Sequence, residues 1–167
     1  RRGYARGGEA VNIALDLAAP PSWAPADEAR RASGGWRVRR ATPGDADGLG
    51  AWVRARFGAS WEWEARLACA GESPSVFLAE RDGAVGGFAC HSVSGLPGTF
   101  GPTGTAAELR GAGLGTALLR RCLADLRERG FARAEIGWVG PVSFYSRAAG
   151  AAISRVFWSF AKPVPRP

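Results

Sequence analysis

The segment of the sequence best suited to bind an anion is Arg-Gly-Ala-Gly-Leu-Gly-Thr at residues 110–116. Its alternate glycines let the backbone turn tightly and bring N–H groups close to a ligand. The segment precedes the clearest amphipathic helix of the chain, so the unpaired amides and partial positive charge of that helix N-terminus join the same cradle. Arg110 adds a fixed positive charge. The pattern therefore predicts a binding site for a pyrophosphate.

Two other nucleotide-binding motifs contain similar glycines, and the sequence fits neither of them. A P-loop ends in Gly-Lys-Ser/Thr, but the only lysine of the chain is Lys162. A Rossmann fingerprint would require glycine where Thr116 stands, and it would follow an early strand of a βαβ unit. A glycine-rich turn that serves only helix packing stays open as the structural alternative.

A second group of residues could move protons. Tyr145, one of two tyrosines, has a phenol that could protonate a leaving group, although a tyrosine in such a helix can equally be an amphipathic core residue. Three side chains could accept a proton: His91 on a strand, and Glu62 and Glu64 on a short helix. A lone strand histidine is more often structural and helix glutamates are more often solvated, so the sequence does not identify a general base.

Both segments resemble the GNAT family of N-acetyltransferases. Arg110–Gly115 is similar to the family signature Arg/Gln-x-x-Gly-x-Gly/Ala, and residues 138–145, Trp-Val-Gly-Pro-Val-Ser-Phe-Tyr, are similar to its strand, turn and Phe-Tyr helix. The likeness extends from Trp36 to about Lys162. Two details depart from the family pattern: four residues instead of three separate Tyr145 from the next glycine, and the common asparagine after the strand is absent.

The resemblance implies that acetyl-CoA is the cofactor and that Tyr145 protonates the departing CoA thiolate. It also implies that the pyrophosphate lies on Arg110, Gly111, Ala112, Gly113, Leu114, Gly115 and Thr116, and the pantetheine arm on Thr103, Gly104 and Thr105. Several family members carry a carboxylate eleven residues before the signature arginine, where this chain has Thr99. A water chain to solvent is therefore a further candidate for taking up the proton.

The acceptor pocket of this family is usually walled by the first two helices. The expected substrate-binding residues are Trp61, Glu62, Trp63, His91 and Trp138. Two tryptophans with two glutamates would suit a cationic or an aromatic-stacked amine, or would simply pack the helix onto the sheet. The resemblance implies acetyl transfer to a primary amine of a small molecule. A non-catalytic or regulatory GNAT-fold domain of a tandem protein and a peptide N-acetyltransferase are the alternatives.

The hydrophobic periodicity from Trp36 onward predicts the order β-α-α-β-β-β-α-β-α-β. This order predicts an α/β (α+β) fold with a mixed central sheet and helices on both faces. The resemblance adds a β-bulge and splayed strands at the acetyl-CoA wedge. The predicted strands are 36–40, 75–81, 84–93, 98–107, 132–139 and 152–161, and the helices begin near residues 43, 60, 113 and 141.

The first residues of the chain are a separate strand segment. Residues 11–17 alternate between apolar and polar side chains, which predicts a half-buried strand. The predicted division is a strand segment at 1–18 that resembles the end of a preceding GNAT repeat, a linker at 19–35, the GNAT domain at 36–162 and a tail at 163–167. We expect residues 11–17 to pair with the C-terminal strand, in the same molecule or in a partner. The alternative is a flexible tail.

Composition narrows the remaining function classes. The 167 residues are 46% apolar and 22% charged, which is typical of a globular domain. The net charge of +7 comes from scattered arginines rather than a basic stripe, so we expect no nucleic-acid partner. Three cysteines without a Cys-x-x-Cys pair, one histidine and no bilayer-length apolar run predict a cytoplasmic protein with no metal site and no membrane contact. A homodimer, or association with another GNAT domain, is compatible with these features.

Overall fold

The computed structural model describes residues 3–19, 33–93 and 95–163. Most of the predicted linker at 19–35 and of the tail at 163–167 lies outside these ranges. The strands are β1 Ala5–Asp16, β2 Arg37–Arg40, β3 Val76–Arg81, β4 Ala84–His91, β5 Thr99–Thr105, β6 Arg133–Ile136 and β7 Ala152–Ala161. The helices are α1 Ala46–Phe57, α2 Ala59–Cys69, α3 Leu114–Glu128 and α4 Val142–Ala149.

Within the described ranges all seven strands form one sheet, in the order β2-β3-β4-β5-β6-β1-β7. The β5–β6 pair is parallel, and each of the other neighbouring pairs is antiparallel. The predicted mixed sheet is therefore confirmed. Predicted strand 132–139 is shorter in the structure, because β6 ends at Ile136 and a loop leads from there to α4.

Helices cover both faces of the sheet, as predicted. The leucines of α3, which recur at helical spacing, are buried with Phe77, Phe100 and Ile136 on one face. Leu49 and Val53 of α1 are buried with Phe88 on the other. Each face therefore has its own apolar core, and the sheet separates the two.

The start of α1 follows from the local sequence. The Thr42 backbone N–H donates to the Asp45 carboxylate at 2.7 Å, and Pro43 occupies the first turn, where a missing N–H costs nothing. Asp45 also accepts two hydrogen bonds of 2.8 Å from Arg39 of β2. These contacts fix α1 against the edge of the sheet.

The N-terminal strand β1 lies inside the sheet. It pairs antiparallel with β7 from Ala5 to Ala14, with Val11 opposite Val156. The predicted pairing of residues 11–17 with the C-terminal strand is therefore confirmed within one chain for residues 11–14. Its other edge pairs with β6, with Ile13 opposite Ile136, which the sequence did not predict. Ile13 is completely buried, so β1 is part of the core and the flexible-tail alternative is wrong.

The predicted bulge and splayed strands are both present. Between the pairs Ala89↔Thr103 and His91↔Phe100, β5 has one residue more than β4, which places a bulge at Gly101–Pro102. Proline has no N–H to give to a ladder, so a bulge accommodates it. Strands β5 and β6 pair only at Thr99↔Glu135 and Phe100↔Ile136. Beyond Phe100 the two strands separate and leave a wedge.

Candidate functional site

The wedge between β5 and β6 opens into a cavity of about 860 Å³. Its walls come from the two diverging strands, the loop before α3, the first residues of α3 and α4, and the end of α1 with the start of α2. The lining residues are Phe57, Trp61, 100–105, 109–111, 113–116, 136–141, Phe144 and Tyr145. Twelve residues predicted for the site from sequence lie in this wall: Trp61, Thr103, Gly104, Thr105, Arg110, Gly111, Gly113, Leu114, Gly115, Thr116, Trp138 and Tyr145.

At one end of the cavity the glycine-rich loop presents free backbone donors. Gly111 and Gly113 have φ angles of 86° and 83°, in the left-handed region that favours glycine. Gly113 is the N-cap of α3, and its carbonyl accepts from Ala117 at 3.1 Å. The amides of residues 111 and 113–116 donate no hydrogen bond to any described part of the chain. They are the donors that a bound anion would satisfy.

The second part of the wall is strand β5. The Thr103 hydroxyl donates to the Phe88 carbonyl at 3.0 Å, so this side chain is held by the neighbouring strand. Gly104 has no room for a Cβ, because the Phe57 ring packs directly onto its backbone. Within the described ranges, the edge of β5 that faces β6 has no strand partner after Phe100. Its backbone groups are therefore available to an extended, amide-containing ligand.

Tyr145 lies on the wall where α4 meets the strands. Its ring packs edge-on against Phe144 and Phe100, with centroid distances of 4.9 and 6.1 Å. Its hydroxyl makes no hydrogen bond within the described residues, and no buried polar side-chain atom among them lacks a partner. The hydroxyl must therefore be open to the cavity. Burial raises the pKa of Tyr145, which keeps the phenol protonated at neutral pH.

The Phe57–Trp61 end of the cavity is aromatic. Phe57 and Trp61 stack at 5.4 Å with an angle of 30° between the rings. At the rim, Trp138 has a φ of 52°, is 79% exposed and stacks on Phe157 at 6.3 Å. The Trp138 amide donates to Asn12 Oδ1 at 3.1 Å. This end is suited to contact a flat or apolar molecule.

Sequence reasoning missed Phe57, Asn12 and Phe157. Phe57 carried a signal, because it ends the apolar stripe of α1 next to the loop that was expected to wall the pocket. In the sequence, Asn12 is one of the polar residues of the alternating segment 11–17, and nothing there marks it as part of the site. Its contact with Trp138 joins residues 126 positions apart, and no local pattern reports such a contact.

The structure corrects the prediction for His91, which lies away from the cavity. The side chain is completely buried on the α3 face, and its Nε2 lies 2.8 Å from Asp125 Oδ2. Asp125 also accepts hydrogen bonds from Arg40 and from Arg129. Burial disfavours the Asp125 carboxylate, but hydrogen bonds from His91 and Arg40 outweigh that cost and hold its pKa well below the usual range. His91 belongs to a structural network, as the alternative interpretation held.

The structure also corrects the predictions for Glu62 and Trp63. Glu62 is bound by Arg54 at 2.8 Å and by Arg66 at 3.1 Å, and these hydrogen bonds lower its pKa. Trp63 is 59% exposed, and neither residue lines the cavity. Glu64 also lies outside the lining, although burial raises its pKa. Ala112, predicted to contact the pyrophosphate, is the one loop residue between Arg110 and Thr116 that does not line the cavity.

None of the three cysteines lines the cavity. All three cysteines are buried and free, and burial raises the pKa of the Cys69 thiol to about 11 and raises those of Cys90 and Cys122 well above their usual value. Within the described ranges no cluster of three or more His, Cys, Asp or Glu side chains could hold a metal ion. No helix in the same ranges is long and apolar enough to cross a bilayer.

A family model described as the acetyltransferase (GNAT) family matches residues 45–150. That range is more than half of the chain and includes the glycine-rich loop, the bulged strand and Tyr145. The chain therefore belongs to the acetyltransferase (GNAT) family.

Solved structures of GNAT proteins have the same fold. A glucosamine N-acetyltransferase region of a fungal multi-domain beta-N-acetylglucosaminidase is 19% identical, with a TM-score of 0.74 over 95% of this chain and 21% of that chain. A GCN5-related N-acetyltransferase from Sphaerobacter thermophilus is 22% identical, with a TM-score of 0.69 over 95% and 52%. One from Kribbella flavida is 15% identical, with a TM-score of 0.64 over 98% and 61%.

These identities are low, so the likeness shows the fold alone. The chain spans 21% to 61% of the length of these three solved structures. No curated protein matches the chain.

Proposed function

We propose that the protein transfers an acetyl group from acetyl-CoA to a primary amine of a small molecule. The observation that carries the proposal is the set of amides at residues 111 and 113–116, which donate to no described part of the chain and face the same cavity as the open hydroxyl of Tyr145. A donor with a pyrophosphate at one end and a thioester at the other matches these two features.

The cavity fits such a donor at three points. The amides of 111 and 113–116 would bind the pyrophosphate, and Arg110, which lies in the same wall, would add positive charge. The unpaired edge of β5 from Gly101 to Thr105 would hold the amides of the pantetheine arm, in the way a strand binds an extended peptide. The bulge would place the thioester at the wedge, near Tyr145.

Tyr145 is the group we assign to the leaving thiolate. Its phenol carries a proton at neutral pH and makes no hydrogen bond to the described part of the chain, so it can donate to the sulfur as the C–S bond breaks. The remaining rate enhancement would come from holding amine and thioester together in a site closed by aromatic side chains.

The glycine at position 115 provides the test. A Cβ there would lie 3.6 Å from Phe144 and from the Thr105 hydroxyl, which is ordinary contact, so Gly115→Leu extends into the cavity without backbone strain. We expect acetyl-CoA affinity, measured by calorimetry, to fall at least about a hundredfold, roughly 2.7 kcal/mol. The melting temperature should stay close to that of the wild type.

Gly48→Leu is the matched control. Gly48 lies in the first turn of α1 with nothing near its Cβ position, so the same substitution should leave acetyl-CoA binding unchanged. Unaltered affinity in Gly115→Leu would contradict the proposed binding mode. Tight binding without thiol release over a broad amine library would instead favour a non-catalytic, CoA-binding domain.

A further inference from the structure

No acidic side chain in the described part of the chain lines the aromatic Phe57–Trp61 end of the cavity. Among the described residues, the only ionisable side chains in the wall are Arg110, in the glycine-rich loop, and Tyr145. No aspartate, glutamate, histidine or lysine of the described chain lines it. Glu62, the nearest candidate by sequence, is occupied by Arg54 and Arg66. The acceptor therefore meets aromatic rings where a cation would need a carboxylate.

This wall is unfavourable for an alkylammonium ion. A simple alkylamine, like the lysine side chain, has a pKa of about 10.4, so only about one molecule in 2,500 is neutral at pH 7. Moving the charged form into the cavity removes it from water without a counter-ion. Attraction to an aromatic face is the remaining compensation, and one face each of Trp61 and Trp138 is already covered by Phe57 and Phe157.

A neutral aromatic amine avoids both difficulties. Its nitrogen lone pair is delocalised into the ring, so it is uncharged at pH 7 and needs no base before attack. Its ring can stack on Trp61 or on Trp138, and such stacking is the contact these side chains offer. We propose that the acceptor is a weakly basic aromatic amine, bound neutral at the Phe57–Trp61 end. This inference rests on the proposed function.

The reaction balances without a carboxylate. The amine nitrogen attacks the thioester carbonyl, the C–N bond forms and the C–S bond breaks. The thiolate takes a proton from Tyr145 and leaves as the CoA thiol. The nitrogen loses one proton to solvent, and Tyr145 regains one from solvent. The products are the aryl acetamide and the free thiol.

The test compares para-substituted anilines with benzylamines that carry the same substituents. Each pair differs by one methylene group and by the charge at pH 7. With saturating acetyl-CoA, we expect kcat/KM from thiol release to be at least tenfold higher for the aniline at pH 7. The aniline profile should be flat from pH 6 to 9, whereas the benzylamine value should rise about tenfold per pH unit as its neutral form appears.

Two variants at the rim, one charged and one neutral, sharpen the test. Trp138 is exposed and has a positive φ, which aspartate and asparagine tolerate better than most residues, so both variants should fold. Trp138→Asp should increase the benzylamine-to-aniline ratio of kcat/KM about tenfold relative to Trp138→Asn. An equal ratio in the two variants would overturn the proposal, because charge would then not be what selects the acceptor.

Each remaining outcome is decisive. A benzylamine that reacts faster than its aniline at pH 7 with a flat profile would show that the protein binds the cation and takes up its proton, and would overturn the inference. Retained acetyl-CoA binding with no reaction in either series would also overturn it. Failure of the wild type to bind acetyl-CoA in calorimetry would overturn the proposed function itself.

Discussion

Two polar regions lie close to the same sheet and differ in how their hydrogen-bonding groups are satisfied. Around Asp125, the carboxylate binds His91, Arg40 and Arg129, so its hydrogen-bonding capacity is used within the protein. At the wedge, the amides of residues 111 and 113–116 and the Tyr145 hydroxyl have no partner in the described chain. Partners within the protein indicate a structural role, and open donors on a cavity indicate a binding site.

The difference has a physical cause. A charge that is buried must be paired inside the protein, because no ligand or water can reach it. Donors on a cavity wall are hydrated until a ligand replaces the water, so they can stay unpaired at little cost. The buried side chains of His91 and Asp125 therefore lie in the first region, whereas the wall of the second consists mostly of backbone, apolar and aromatic groups.

The largest expected effect comes from a substitution in the region around Asp125. Asp125→Asn removes the charge that faces two arginines and a buried histidine, and loss of one partner of a buried pair costs about 3 to 5 kcal/mol. We expect the urea midpoint to fall accordingly, with acetyl-CoA affinity of the folded fraction unchanged. Loss of affinity at unchanged stability would mean that the two regions are not separate.

Glu62→Gln is the control for this prediction, because Glu62 also binds two arginines, but these arginines are 66% and 39% exposed. Its effect on stability should be much smaller. The effect of Asp125 should also depend on pH. Its folded-state pKa is depressed, so its stabilisation is present above the unfolded-state pKa of about 3.9 and is lost as the pH falls below that value. The gap between wild type and Asp125→Asn should therefore narrow below about pH 4.

The next effect concerns the second region. Tyr145→Phe removes a hydroxyl that makes no hydrogen bond in the described structure, so stability should change little. Turnover should fall about a hundredfold with acetyl-CoA affinity nearly unchanged, because general acid catalysis acts in the transition state. Since burial raises the pKa of Tyr145, the wild-type rate should begin to fall only at alkaline pH, and the variant should lack that decrease.

Tyr4→Phe is the matched control, since Tyr4 is the other tyrosine of the chain and lies exposed next to Lys162. It should retain full activity. Equal losses of turnover in the two variants, or a loss of stability in Tyr145→Phe, would show that the Tyr145 hydroxyl has a structural role and not a catalytic one.

Much of the fold could be predicted because its signals are local. The stripe of α3, the turn glycines before it and the alternation of residues 11–17 each report their own element within a few residues. The bulge and the splayed strands came from the family resemblance, and the structure has both. The position of β1 between β6 and β7 could not be predicted, because strand order depends on contacts between distant segments.

Some of the predicted site residues line the cavity and others do not, because the position of a side chain also depends on contacts between distant segments. Loop residues such as Gly113 and Gly115 line the cavity, and their spacing is visible in the sequence. His91 and Glu62 could not be placed from sequence, since partners decide their roles. His91 meets Asp125 34 positions away, and Asp125 meets Arg40 85 positions away.

The smallest expected effect concerns two neighbouring tryptophans that looked equivalent in the sequence. Trp61 and Trp63 are two residues apart on α2, which places them about 200° apart around the helix axis. Trp61 packs on Phe57 and Phe88 and lines the cavity, whereas Trp63 is exposed and does not line the cavity.

Trp63→Leu should therefore leave stability nearly unchanged, as expected for a surface substitution. Its acetyl-CoA affinity and its KM for an aromatic amine should stay within about twofold of the wild-type values. Trp61→Leu should increase that KM several-fold with acetyl-CoA affinity unchanged, because it removes a stacking surface for the acceptor and no contact with the donor. Steady-state kinetics with one aniline separates the two variants, and equal KM values for both would show that the acceptor does not bind at the Phe57–Trp61 end.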